Sequence, residues 1–121
     1  MMELYRLKCT TCHSGDPALS YGEIMRWHRE IPTWEVRQVD GVMRLERIFS
    51  FMNFSQALSF ANGVGKVAEE EHHHPWMLIE YHQVTLHWWT HKVKGLHIND
   101  FIMAAKIDKL FGYIGRANHA R

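Results

Sequence analysis

Apolar and polar positions along the chain switch between helical and strand periods, with unpatterned stretches between them. Residues 1–18 show no clean period and read as an irregular N-terminal arm, followed by a single domain over residues 19–121. In SYGEIMRWHREIP the residues Ile24, Trp27 and Ile31 fall on one helical face. Ser20 with Glu23 three positions on predicts a capping box, and Pro32 is expected to stop the run. WEVRQVDGVMRLERIFSF reads as a hairpin, two strand-like runs flanking the two-residue turn signal Asp40-Gly41. NFSQALSFANGVGKVAEEE returns to a helical period. Asn53 is its expected cap, and Phe54, Ala57, Leu58, Ala61, Val64 and Ala68 form its apolar stripe. Gly63 and Gly65 weaken that helix by about 1 kcal/mol each relative to alanine.

MLIEYHQVTLHWWTH is rich in β-branched and aromatic residues and predicts two short strands meeting near His82-Gln83. In the second, Val84, Leu86 and Trp88 alternate with Thr85, His87 and Trp89, which places His87 on the sheet face away from the core. NDFIMAAKIDKLFGYIG predicts a final helix with Phe101, Ala104, Ile107, Phe111 and Ile114 on one side. Helix, hairpin, helix, two strands, helix is the signature of an α+β fold. The expected architecture is a four-stranded antiparallel sheet with helices packed on one face. Its edge strands would be open, so pairing between chains is expected.

Composition narrows the function more than the fold. The 121 residues are 46% apolar and 22% charged, with a net charge of +1, which argues against a nucleic-acid or membrane partner. No apolar run reaches the roughly 18 residues of a membrane span, and the start lacks the apolar stretch of a signal peptide. The expected location is the cytoplasm.

Two motifs carry candidate chemistry. CTTCH holds the two cysteines, Cys9 and Cys12, followed by His13. The string fits a c-type haem attachment pattern, three ligands of a zinc site with a fourth from elsewhere, a pair of reduced surface thiols, or a flexible N-terminal clip. EEEHHHPW holds His72, His73 and His74, in a chain with 10 histidines. Adjacent histidines do not chelate on either a helix or a strand, and His87 and His91 would lie roughly 13 Å apart on a strand. Acid/base chemistry fits the triplet better, because imidazole titrates near neutral pH. The triplet sits where a helix runs into a proline-led strand, and Pro75 biases His74 toward an extended conformation. Glu69 and Glu70 lie just upstream, where a carboxylate can orient an imidazole. His13, His28, His82, His97 and His119 read as solvated surface residues.

From Glu69 onward the chain reads E-x-x-x-H-H-P, then Tyr81, Val84, Thr90-His91, Gly95-Leu96 and Asp100, with 17 residues from His74 to His91 and nine from His91 to Asp100. This set closely resembles the pterin-4a-carbinolamine dehydratase family. Trp34 matches the tryptophan that precedes the family's first strand, and FSFMNFSQALSFANGV resembles the segment entering its second helix. Some bacterial members also carry an N-terminal C-x-x-C arm. Three departures stand out: His97 replaces a capping Ser or Thr and leaves capping to Asn99, Trp76 sits one residue early with Met77 at the usual aromatic position, and His72 is an added histidine.

The resemblance implies the order α-β-β-α-β-β-α, with three helices on one face, and a homodimer or homotetramer. It implies a hydro-lyase that removes water from 4a-hydroxytetrahydrobiopterin to give the quinonoid dihydropterin, with no metal or organic cofactor. A functional link to an aromatic amino acid hydroxylase and to tetrahydrobiopterin recycling is expected. His73 and His91 would be the proton-transfer pair and His74 would orient the hydroxyl. Glu69 would hold a histidine or the pterin. Asp100 would serve substrate binding or simply favour the positive end of the last helix. The alternative on the same fold is a non-catalytic dimerisation or assembly cofactor.

Overall fold

The computed structural model describes the backbone of residues 3–119 and the side chains of residues 3–114. Helix α1 (Tyr21–His28) begins as its local sequence requires. The Ser20 hydroxyl accepts from the Glu23 amide at 3.2 Å, and the Glu23 carboxylate accepts from the Ser20 amide at 2.9 Å. These reciprocal bonds satisfy two donors that the helix itself leaves unpaired. The helix stops at His28, short of Pro32. The amides of Glu30 and Ile31 bond back to Trp27 and His28, tightening the last turn and swinging Ile31 into the core.

Strands β1 (Glu35–Val39) and β2 (Val42–Ser50) form the expected hairpin, with Val39 opposite Val42. Asp40 and Gly41 have φ of 51° and 80°, the positive pair that a type I′ turn needs. Helix α2 (Phe54–Glu71) starts at Asn53, whose side chain accepts from the Gln56 amide at 2.9 Å. Its buried face is Ala57, Phe60, Ala61, Val64 and Ala68. Phe54 and Leu58, expected in the stripe, face solvent, and Phe60 takes their place. Phe60 joins an aromatic cluster with Phe49, Phe51 and Phe111, its ring centroid lying 4.7, 5.1 and 5.8 Å from theirs. Gly63 is explained by close packing: a Cβ there would lie 3.1 Å from Leu110 of the last helix.

Strand β3 (Trp76–Ile79) pairs with β4 (Gln83–Trp88), and the sheet order is β1-β2-β4-β3, antiparallel throughout. Val84, Leu86 and Trp88 point into the core together with Leu45 and Phe49, while Thr85 and His87 lie on the opposite face. Helix α3 (Ile98–His119) closes the core with Phe101, Ala104 and Ile107. The architecture is thus α+β, with three helices and a four-stranded antiparallel sheet in the expected order. The arm has one 3₁₀ turn, Leu4–Arg6. Its Leu4 is buried, and Lys106 of α3 donates to the Tyr5 carbonyl at 2.9 Å. Among the described residues no helix is long and apolar enough to cross a membrane.

Candidate active site

The site begins at the end of α2. His72 sits in the left-handed region at φ 54° and ψ 39°, and its amide bonds back to Ala68 and Glu69. The His73 amide also bonds to the Ala68 carbonyl, at 3.1 Å, so the last turn closes as a Schellman-type cap. This reversal sends the three histidines different ways. His72 and His74 are exposed, whereas the His73 side chain is only 13% exposed. The His73 ring stacks on Trp88 of β4 at 5.7 Å with planes 10° apart, and its Nε2 lies 2.6 Å from Asp100 Oδ1.

Asp100 is fully buried and its oxygens are occupied. Oδ1 takes His73, and Oδ2 accepts from the Thr90 hydroxyl at 2.8 Å and the His97 amide at 2.9 Å. The last bond is half of a capping arrangement for α3. The other half is His97 Nδ1, which accepts from the Asn99 amide at 3.1 Å. His97 therefore does the capping expected of Asn99. Asp100 does sit in the first turn of α3, where a negative charge suits the helix dipole. Its carboxylate lies behind His73 and does not line the cleft described next.

His73, His74 and His91 all line one cleft of about 710 Å³, within the range of small-molecule sites. His91 opens a short 3₁₀ turn (His91–Val93) after β4, is exposed, and has its ring 4.9 Å from that of Trp89. His74 Nε2 bonds to Glu69 Oε2, and this hydrogen bond, with the imidazole's charge, holds the Glu69 carboxyl below its ordinary value. Glu69 itself is exposed and outside the cleft lining. Trp76 and Trp89 line the cleft as aromatic walls, and Met77, at the usual aromatic position, packs against the core. The shift by one residue follows from strand alternation, since Trp76 stands beside His87 on the sheet face away from the core.

The cleft has a second wall that no pattern in the sequence announced. Residues 9–12 of the arm line it, held by side chains of α2 and α3. Burial and the neighbouring Glu71 carboxylate push the Cys9 thiol up to about 12, and burial, with Asp16, raises Cys12. The Cys9 thiol donates to the Asn99 carbonyl at 3.9 Å. Among the described residues no three His, Cys, Asp or Glu side chains converge as a metal would need.

The other histidines are less idle than expected. His28 Nε2 lies 2.6 Å from the Trp34 carbonyl, and His87 is buried with its Nε2 2.6 Å from Glu46 Oε2. Burial acts to raise the Glu46 carboxyl, but hydrogen bonds from Arg37 and His87 leave it below its ordinary value. His13 and His82 are exposed, as expected, while the His119 side chain lies outside the described residues.

Comparison with known proteins bears on the family and the fold. The sequence profile of the family described as Pterin 4 alpha carbinolamine dehydratase matches residues 17–110. A protein of Nitrosococcus oceani is 51% identical over 110 residues, 91% of this chain and 97% of its own length. One of Chlorobium luteolum is 49% identical over 111 residues, 92% of this chain and 97% of its own. Both bear the name "Putative pterin-4-alpha-carbinolamine dehydratase". A crystal structure from Brucella melitensis, described as a transcriptional coactivator/pterin dehydratase, superposes with a TM-score of 0.71 at 30% identity. It covers 78% of this chain and 99% of its own. A pterin dehydratase-like protein described as a RuBisCO assembly factor in the alpha-carboxysome shares the fold at a TM-score of 0.57 and 20% identity, over 66% of this chain and 90% of its own. A family profile that spans the sheet and its histidines, with relatives near half identity over almost their whole length, settles the assignment: the chain belongs to the pterin-4a-carbinolamine dehydratase family of hydro-lyases.

Proposed function

We propose that the protein dehydrates 4a-hydroxytetrahydrobiopterin, or a pterin with a related side chain, to the quinonoid dihydropterin by histidine acid/base catalysis. The observation that carries this reading is that His73, His74 and His91, from two separate stretches of chain, line one cleft of ligand size. The 4a-hydroxyl must leave as water, and a ring nitrogen must lose a proton. One protonated and one neutral imidazole can do both. Because a carboxylate only accepts, the proton between His73 and Asp100 belongs on His73 Nε2, which leaves Nδ1 of a neutral ring free to take a proton. His91, exposed beside Trp89, is the complementary acid. His74, tethered by Glu69, orients the hydroxyl. Asp100 acts through His73 rather than on substrate.

The test follows the ultraviolet change of synthetic 4a-hydroxytetrahydropterin. Wild type should accelerate it, and His73→Ala or His91→Ala should each slow the reaction by about 10²- to 10⁴-fold. A wild type as inert as the double variant contradicts the enzyme reading. It would favour the non-catalytic alternative, a role of the kind described for the carboxysomal relative. The further role we propose is tetrahydrobiopterin recycling after an aromatic amino acid hydroxylase. Strands β1 and β3 are the sheet edges through which a homodimer or homotetramer would pair.

A further inference from the structure

The family profile begins at residue 17, yet residues 9–12 line the candidate cleft. This part of the arm is not a trailing end. The Asn99 side chain accepts from the Thr10 amide at 2.9 Å and donates to the Thr10 carbonyl at 2.7 Å, a two-point clasp like that of a neighbouring strand. Glu71, in the last turn of α2, accepts from the Cys9 amide at 2.8 Å. Lys92 donates to the Cys12 carbonyl at 3.2 Å. Asn99 is 3% exposed and the Glu71 side chain 12%. Burying such groups is costly unless they are paired; Asn99 and one Glu71 oxygen find their partners in the arm's own peptide groups, and the other Glu71 oxygen faces Lys106 at 4.0 Å. The local sequence offers Asn99 as a helix cap, but His97 has taken that duty and left Asn99 for the arm.

We infer that residues 9–12 form a substrate-recognising wall of the cleft, and that Asn99 and Glu71, which reach the cleft lining themselves, hold that wall in position. This rests on the dehydratase reading. A pterin presents flat faces and a pyrimidinone edge of alternating donors and acceptors. Trp76 and Trp89 offer flat surfaces, and the peptide groups and hydroxyl of Thr11 offer donors and acceptors of both kinds. Thr11 makes no hydrogen bond among the described residues, so its polar groups are open to a ligand. None of these groups can shuttle a proton near neutral pH. The wall therefore sets affinity, while the histidines on the domain set the rate.

The experiment uses the full chain with Asn99→Leu, Glu71→Ala and Glu71→Gln. Two quantities are read: kcat and KM for 4a-hydroxytetrahydropterin, and the Kd of unreactive 7,8-dihydrobiopterin by tryptophan fluorescence quenching. Asn99→Leu and Glu71→Ala should raise KM and Kd about tenfold, the weight of one or two hydrogen bonds, with kcat within about twofold of wild type. Glu71→Gln keeps the acceptor and should recover most of the affinity. Unchanged KM and Kd in a folded Asn99→Leu overturns the inference, as does a collapse of kcat at constant Kd. Should Asn99→Leu fail to fold, the Glu71→Ala and Glu71→Gln pair decides. A wild type that binds dihydrobiopterin without turnover defeats the dehydratase reading alone, and the Kd comparison still judges the wall. A wild type that binds no pterin defeats both.

Discussion

His73 is held on three sides: by its backbone in the α2 cap, by its ring stack on Trp88, and by Asp100 at Nε2. A ring so placed keeps one tautomer and one orientation, which acid/base work requires. Asp100→Asn tests this. With its amide nitrogen toward the His97 amide and Thr90 hydroxyl a donor meets donors, and with it toward His73 the ring must accept at Nε2 and move its proton to Nδ1, the wrong tautomer for a base. The expected result is a stability loss of about 1–3 kcal/mol in urea denaturation. The kcat should also fall about 10²-fold, with little change in KM, because the base is mis-set while the cleft is intact. A folded variant with wild-type kcat would show that His73 works without Asp100. The histidine spacing to Asp100 was legible in the sequence; the direction of the carboxylate, behind the ring rather than into the cleft, was not, because it depends on where α3 docks.

Element ends do much of the site-building. The α2 C-terminus points His73 inward only because His72 adopts the left-handed conformation, which costs an ordinary residue about 1 kcal/mol or more. His72 looks like a spare histidine in the sequence, since no local signal marks a non-glycine residue for that role. His72→Gly should therefore raise stability by up to about 1 kcal/mol, and His72→Val should lower it by at least as much. Urea midpoints of the two variants read this directly, and shifts in the same direction would refute the backbone account. The α3 N-terminus shows the converse case. A cap is legible near Asp100, but the choice between His97 and Asn99 was settled by the arm, which captures Asn99.

At the scale of the whole molecule, the arm and the domain meet around the half-buried Cys9. The folded thiol is raised from the usual 9.0 to about 12, chiefly by burial and then by Glu71. As pH rises, the unfolded chain loses this proton first, so the stabilisation is complete below about pH 9 and declines between about pH 9 and 12. The melting temperature of wild type should thus fall more steeply than that of Cys9→Ala from neutral pH to about pH 10. Parallel profiles would mean that Cys9 is not buried against the domain in solution.

Much of this protein was set by chain neighbours alone. The capping box at Ser20, the Asp40-Gly41 turn, the strand alternation in β4 and the element order follow from local periodicity and turn chemistry, which act over a few residues. The spacing of His73, His74, His91 and Asp100 was equally legible as a family pattern. The fold had to decide whatever depends on distant burial. It turned the stripe of α2 so that Phe60 entered the aromatic cluster in place of Phe54 and Leu58. It set Asp100 behind His73, and it laid an unpatterned arm along the candidate cleft. Periodicity tells a helix which residues share a face. Only the packed partner decides which face is buried and which polar side chains it must satisfy.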